Sequence, residues 1–514
     1  MLAELVQRHA AEHPDAVLAR DPDEVLTNAA FDHQSRALSA WLLAHGVRPA
    51  DRVVLCAHNS VRWLVTNVAL IGAGALMAPA TYRTTPEELA YLVNYSGARG
   101  AIVDAAAARH LAAAAADVPD LDWVVAIDDE LVPIDGVATV PWRQVMATAP
   151  LPHPLDDPGG SMIFTSGTTG RPKGVYRAPS RASSSSMGAF LPLFDLRPGD
   201  VYLCAGPLYH GGPHAFAILT LALGGEIVVL PKFDPEACLA AIEEHHVTTT
   251  FMVPTMLRLF TKHPATRQRG YDTSSLRVLV TAGEPCPMPL KRDVADLLGP
   301  VLYEFFGATE LGINAVMTPE GHAQRPGSCG QVLPGQQFVV LGDDGTPVPP
   351  GVEGELAVGN DTLPEYWKDA DATEAARRGE LMSLGDTGYV DEDGYLFVTG
   401  RTVDLIKTGG VRVTPGEIEA VLLDHPAVLE AAVVGVPDDV WSERIAACLL
   451  PVDPLDGPPP TEAELQDWCR ARLASHKVPK QVVWFTADRW PRLENGKVPK
   501  RLLRDLLTKQ ASPA

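Results

Sequence analysis

Short apolar runs separated by amphipathic stretches dominate the first four hundred or so residues. "DRVVLCA" (51–57), "GAIVDA" (100–105), "WVVAID" (123–128), "GEIVVLP" (225–231), "TTTFMVP" (248–254) and "LRVLVTAG" (276–283) are rich in Val, Ile and Thr. Runs of this kind predict strands buried on both faces. Between them, "PEACLAAIEEHH" and "MPLKRDVADLLG" place a proline ahead of apolar positions at helical spacing and predict helices. The alternation predicts an α/β fold with mostly parallel sheets, in which ligands collect at the carboxyl ends of strands. The most membrane-like run, "LVTNVALIGAGALMAPA", is interrupted by Thr66 and Asn67 and reads as a buried helix.

From "GELAVGN" onward the texture changes to short strands and Gly/Asp turns, as in "YVDEDGYLFVTGR", which predicts a β-rich part. After Arg401 come "EIEAVLLDHP", "LEAAVVGVP", "ERIAACLLPV" and "EAELQDWCRARL", a mixture of helix and strand. A chain of 514 residues exceeds one core. A boundary at Gly400–Arg401 gives a large domain of several subdomains (1–400) and a small α+β domain (401–514). The Pro-rich "PVDPLDGPPP" (451–460) reads as a surface loop of the small domain.

Composition narrows the function. A net charge of −22 argues against a broad nucleic-acid or anionic-membrane surface, so no partner of either kind is expected. The seven cysteines are scattered without a CxxC pair, against a disulfide framework or zinc ribbon, and fit a reducing compartment. "MLAELVQRHAAEHPDAV" lacks the basic start and apolar core of a signal peptide, and a cytoplasmic location is expected.

The candidate chemistry starts at "FTSGTTGRPKGV" (164–175). An apolar strand leads into hydroxyls and glycines, whose backbone N–H groups can converge on phosphate oxygens, and Lys173 adds a point charge. The spacing is not that of a Walker loop, because Lys173 lies between Pro172 and Gly174. Five further stretches follow in order: "PLYHGGPHAF" (207–216), "TAGEPC" (281–286), "YEFFGATELG" (303–312), "LGDTGYVDEDGYLFVTGRTVDLIKTGG" (384–410) and "RLENGKVPKR" (492–501). His210 and His214 stand four apart, yet no neighbouring Glu or third ligand supports a zinc site.

Together these six stretches resemble the adenylate-forming superfamily, which includes acyl-CoA synthetases, aryl-acid ligases, luciferases and peptide-synthetase adenylation domains. The resemblance implies a nucleotide site. Thr165, Ser166, Gly167, Thr168, Thr169, Gly170 and Lys173 would cradle phosphate, and Gly283, Glu284 and Pro285 would lie along the purine. Phe306, in place of the family's usual tyrosine, would stack on adenine beside Phe305, and Glu304 would accept from the adenine amino group. Asp386 and Arg401 would hold the ribose. Thr309 would bond the α-phosphate, and Glu310 would hold Mg²⁺ through hard oxygen ligation. Lys497 would stabilise charge as carboxylate attacks the α-phosphate, with His210 beside that carboxylate. The acid pocket would be walled by Gly211, Gly212, His214, Ala215, Ala282, Gly307 and Ala308, small enough in aggregate for an aromatic ring or medium acyl chain.

The implied reaction has two halves: carboxylate and ATP give an acyl-adenylate and pyrophosphate, and a thiol, most often that of coenzyme A, then displaces AMP. The small domain would be mobile, rotating between steps to bring Gly409 and Gly410 to a thiol channel. Three departures from the pattern stand out: Val403 at the hinge, Glu365 before Tyr-Trp, and "VYRAPSRASSSS" after the phosphate loop, with Arg177 and Arg181 as candidate contacts for an anionic substrate. They leave open a carrier-protein thiol or an amine as acceptor, or a diazotase-like use of nitrite with an aryl amine.

Overall fold

A computed structural model of the chain describes residues 2–155, 159–165, 172–176, 188–268, 270–359, 363–452, 457–492 and 498–511. The β-prone runs become two sheets. One is wholly parallel, in the order Ala138–Pro141, Trp123–Ala126, Gly100–Val103, Arg52–Cys56, Leu76–Pro79 and Gly160–Ser161. In the other, strands Val17–Arg20, Glu226–Val229, Val201–Cys204, Thr249–Phe251, Val278–Thr281 and Leu302–Ala308 run parallel side by side. Helices Asn28–Ala44, Val61–Gly72 and Gly211–Ala222 contribute to a continuous core shared by both sheets, which buries Phe31, Trp63, Tyr202 and Phe216. The α/β character expected from the sequence is the architecture observed.

The apolar run 64–80 is not one helix. Helix Val61–Gly72 stops at the Gly-Ala-Gly step, where Gly74 turns at φ 70°, and Leu76–Pro79 continues as a strand. Ser60 starts that helix by accepting from Trp63 N at 3.2 Å.

The second sheet changes direction at Leu302–Ala308. Its next neighbour, Gly312–Met317, is antiparallel, and the sheet continues antiparallel through Gly330–Val332, Tyr395–Arg401, Asp386–Val390 and Gly354–Gly359. This is the β-rich part. A separate three-stranded sheet joins Glu365–Tyr366, Lys173–Tyr176 and Ile163–Thr165.

After Thr402–Asp404, a single 3₁₀ turn carrying the 76% exposed Val403, a five-stranded sheet begins. It is packed by helices Pro415–Leu423 and Glu462–Arg470 in one apolar cluster, and by Leu503 and Leu507 of Lys500–Ala511 in another. Among the described residues, no helix is long and apolar enough to cross a membrane.

Candidate active site

Sheet geometry gathers four of the six stretches at the place where the second sheet switches direction. Lys173 and Thr165 face each other across the hairpin, and Tyr366 joins through its pairing with Val175. Thr165 Oγ1 donates to Glu310 Oε1 at 3.3 Å, and the Tyr366 hydroxyl donates to the same oxygen at 3.0 Å. Burial, then the Glu310 charge, pushes the Tyr366 phenol well above its ordinary range, so it stays a donor. Lys173 Nζ pairs with Asp369 at 3.2 Å and lies 5.4 Å from the centre of the Tyr366 ring.

Thr309 and Glu310 lie in the turn between Leu302–Ala308 and Gly312–Met317. A register shift between Phe306 and Gly307 bends the strand there, and a side chain at Gly307 would meet Gly312 O at 2.3 Å. Gly307 is therefore needed for the turn itself. The open side of Gly211, on the first turn of helix Gly211–Ala222, faces Thr309 Oγ1 at 3.8 Å and Ile163 Cδ1 at 3.9 Å. A cavity of about 150 Å³ lies there, lined by Ser161, Ile163, Val175 and Thr309. A larger cavity of about 470 Å³, among Gln337, Val339 and Leu381 of the β-rich part, touches none of the expected site residues.

Asp386 and Arg401 are direct cross-strand partners, and Arg401 Nε donates to Asp386 Oδ1 at 2.9 Å. Burial would weaken the Arg401 charge, but Asp386, then Asp404 and Glu310, outweigh it and raise its pKa. The Glu310 contribution ties this pair electrostatically to the Thr165–Tyr366 cluster.

On the expected purine side, Gly283 sits at φ 87° with nothing within 4 Å of a built side chain. Glu284 anchors the loop, which continues into Pro285, by accepting from Thr255 N at 3.1 Å and Thr255 Oγ1 at 2.7 Å. Phe306 is half-buried, its ring edge-on to Phe338 at 6.4 Å. The Glu304 carboxylate, 6% exposed, is held by Lys291 Nζ at 2.5 Å in an interior ion pair. Strand alternation puts Tyr303 and Phe305 on the opposite face. Phe305 joins a ring cluster with Phe194, Phe216 and Phe251.

That cluster bounds the expected acid pocket. A side chain at Gly212 would meet the Phe251 ring at 2.5 Å, so glycine lets helix and strand close together. His214 and Ala215 are half-buried on the same turn, Ala282 is buried at 5% exposure, and Ala308 is half-buried beside the switch. His210 is the residue preceding the helix, its ring 4.3 Å from that of Tyr209. The segment is fixed from behind by Asn59, 4% exposed, which accepts from Leu208 N at 2.8 Å and donates to Gly206 O at 2.9 Å and Leu230 O at 3.1 Å.

Gly409 and Gly410 form the two-residue turn between Ile406–Thr408 and Val411–Val413, at φ 58° and 82°. A type I′ hairpin needs positive φ at both central positions, so the turn alone accounts for the glycine pair. Gly409 also approaches Trp441, whose ring lies 3.0 Å from where a side chain would start. Ser166, Gly167, Thr168, Thr169, Gly170, Arg177, Arg181 and Lys497 lie outside the described residues.

Sequence reasoning missed Tyr366, Asp369 and Asn59. "EYWKD" drew notice only through Glu365, and the tyrosine and aspartate beside it show their value only once the three-stranded sheet sets them against Glu310 and Lys173.

Residues 6–367 match the AMP-binding enzyme family, and residues 417–497 match the AMP-binding enzyme C-terminal domain. The chain is 36% identical to a feruloyl-CoA synthase of an Amycolatopsis species over 97% of each chain. It is 31% identical to the indoleacetate–CoA ligase of Aromatoleum aromaticum, over 99% of this chain and 98% of the other. Among solved structures it is similar to an amide bond synthetase from Marinactinospora thermotolerans, with a TM-score of 0.84, 28% identity and coverage of 99% and 100%. This chain belongs to the AMP-binding, adenylate-forming enzymes, and its curated relatives place it with the acyl- and aryl-CoA ligases.

Proposed function

We propose that the switch-point cluster carries ATP-dependent activation of an aryl carboxylic acid and its transfer to coenzyme A. The observation that carries this reading is the convergence of Thr165, Tyr366 and Glu310 with the Lys173 and Asp386–Arg401 pairs where the second sheet switches direction. A carboxylate oxygen forms a bond to the α-phosphorus while the bond to the bridging oxygen breaks, and pyrophosphate leaves. The thiol sulfur then bonds the acyl carbon, its proton passes to solvent, and AMP leaves with the former carboxylate oxygen.

Lys173 would meet the departing phosphates, and Thr309 the α-phosphate. Asp386 keeps Oδ2 for the ribose hydroxyls while Oδ1 stays with Arg401. His210 would face the carboxylate, and Lys497 would offset charge at the phosphorus. Glu310 offers carboxylate oxygens, with two hydroxyls turned to Oε1, hard oxygen donors that fit Mg²⁺. That cation would supply charge neutralisation between phosphates.

The acid class rests on the Phe194–Phe216–Phe251–Phe305 cluster and on relatives named for feruloyl and indoleacetate substrates. The test is ATP–pyrophosphate exchange with a panel of aryl acids. Exchange should need added acid and vanish in Lys497→Ala, and Asp386→Ala should weaken AMP binding about tenfold or more. Acid-independent exchange, or unchanged affinity, would refute these roles. AMP release is then compared with CoA, a carrier protein, an amine, and nitrite with an aryl amine; only CoA should accelerate it.

A further inference from the structure

His214, an expected wall of the acid pocket, has no role in the scheme above. His214 stands one helical turn after Gly211, on the face of helix Gly211–Ala222 that Gly211 turns toward Thr309 and Ile163. Behind it, Asn67 of helix Val61–Gly72 is 1% exposed, and its amide Nδ2 lies 2.8 Å from His214 Nε2. Trp63 closes the same side, edge-on at 5.6 Å.

This arrangement fixes a tautomer. An amide NH₂ donates, so Nε2 must offer its lone pair, and a neutral imidazole then carries its proton on Nδ1. Burial lowers the His214 pKa to about 4, so the ring is neutral near pH 7. The ring is half-buried, and among the described residues nothing accepts from Nδ1.

We propose that His214, oriented and tautomerically locked by Asn67, is a specificity determinant that donates from Nδ1 to an acceptor oxygen on the ring of the acid. Methoxy, keto and phenolic oxygens belong to that class, and an alkyl group of equal size does not. The inference rests on the proposed acid pocket and names the substituent it reads.

The experiment uses the full chain and acid-dependent ATP–pyrophosphate exchange. Benzoates and cinnamates carrying methoxy at each ring position are compared with the ethyl-substituted counterparts. At one position or more, the methoxy acid should exceed the ethyl acid in kcat/KM by about tenfold, the yield of one well-made hydrogen bond. His214→Phe should bring that ratio to about one. Asn67→Leu, which keeps the imidazole and frees its tautomer, should lower the ratio less, and it serves as the second test if His214→Phe does not fold. Equal ratios throughout the wild-type panel, or a methoxy preference that survives both substitutions, would overturn the role of His214 and leave the proposed function standing. Failure of every acid to support exchange would overturn the function and this inference together.

Discussion

Asn59→Asp is a severe change at nearly constant volume. Asn59 makes three hydrogen bonds, accepting from Leu208 N and donating to Gly206 O and Leu230 O. The aspartate keeps the first and loses the other two, and its second oxygen would stand 2.9 and 3.1 Å from two carbonyl oxygens. Each lost bond removes about 1 kcal/mol, and orphaning buried acceptors adds to that, giving a destabilisation of about 3 kcal/mol. Urea unfolding followed by tryptophan fluorescence should show a lower midpoint at unchanged slope. The pH dependence is the sharper readout. A carboxyl facing carbonyls has a raised folded pKa, so the protonated form is favoured and can donate to one of them. The deficit should therefore narrow as pH falls from about 8 to about 5, because the stability lost by the charged form returns on protonation. Because Leu208 lies two residues before His210, the variant should also raise the KM for the acid more than that for ATP. An unchanged urea midpoint, or a deficit independent of pH, would refute the role of this side chain in holding the segment.

Gly212→Ala would drive a methyl group against the Phe251 ring, itself 2% exposed, and should cost about 1–3 kcal/mol while narrowing the acid range toward smaller rings; undiminished stability and an unchanged acid range would contradict it. His322, 9% exposed, is lowered to about 4 by burial and then by the Lys291 charge, against a bond to Leu302 O. Its contribution is fully present above the unfolded value near 6.5 and is lost as pH falls toward about 4, a span of about 3 kcal/mol. Stability of the wild type against His322→Gln, measured across that window, should show the difference in slope, and parallel curves would exclude it.

The strands and helices of the first four hundred residues were legible because each rests on a local pattern. "WVVAID" and "LRVLV" form strands wherever two faces are covered, and Pro235 starts a helix by its fixed φ. The apolar run 64–80 was misread because hydropathy alone does not distinguish a buried helix from a buried strand, and the dividing signal was the Gly-Ala-Gly step. The Glu304–Lys291 pair was not legible for a different reason. The motif fixes the backbone position of Glu304, whereas its side-chain partner depends on strand alternation and on Lys291, thirteen positions upstream on helix Met288–Leu298. The Asn67–His214 lock joins positions 147 apart and has no local signature at all.

The site also shows how an acidic protein can receive an anionic nucleotide. Lys173 is matched by Asp369 and Arg401 by Asp386, while Glu310 is held by two neutral hydroxyls. Both cations are thus paired with carboxylates. The Lys173–Asp369 pair has a partly exposed carboxylate, and such pairs are worth about 1 kcal/mol or less. A phosphate can displace Asp369 at small cost, since a charge-assisted bond to phosphate replaces a bond of the same kind. Arg401 and Asp386 are strand neighbours as well, so their side chains start side by side whatever is bound. In the proposed reaction, Lys173 is therefore the group that changes partners on binding and release. Arg401 and Asp386 would remain the pair against which the sugar is placed, and Glu310 Oε1, with hydroxyls that can turn aside, would meet a cation that arrives with the nucleotide.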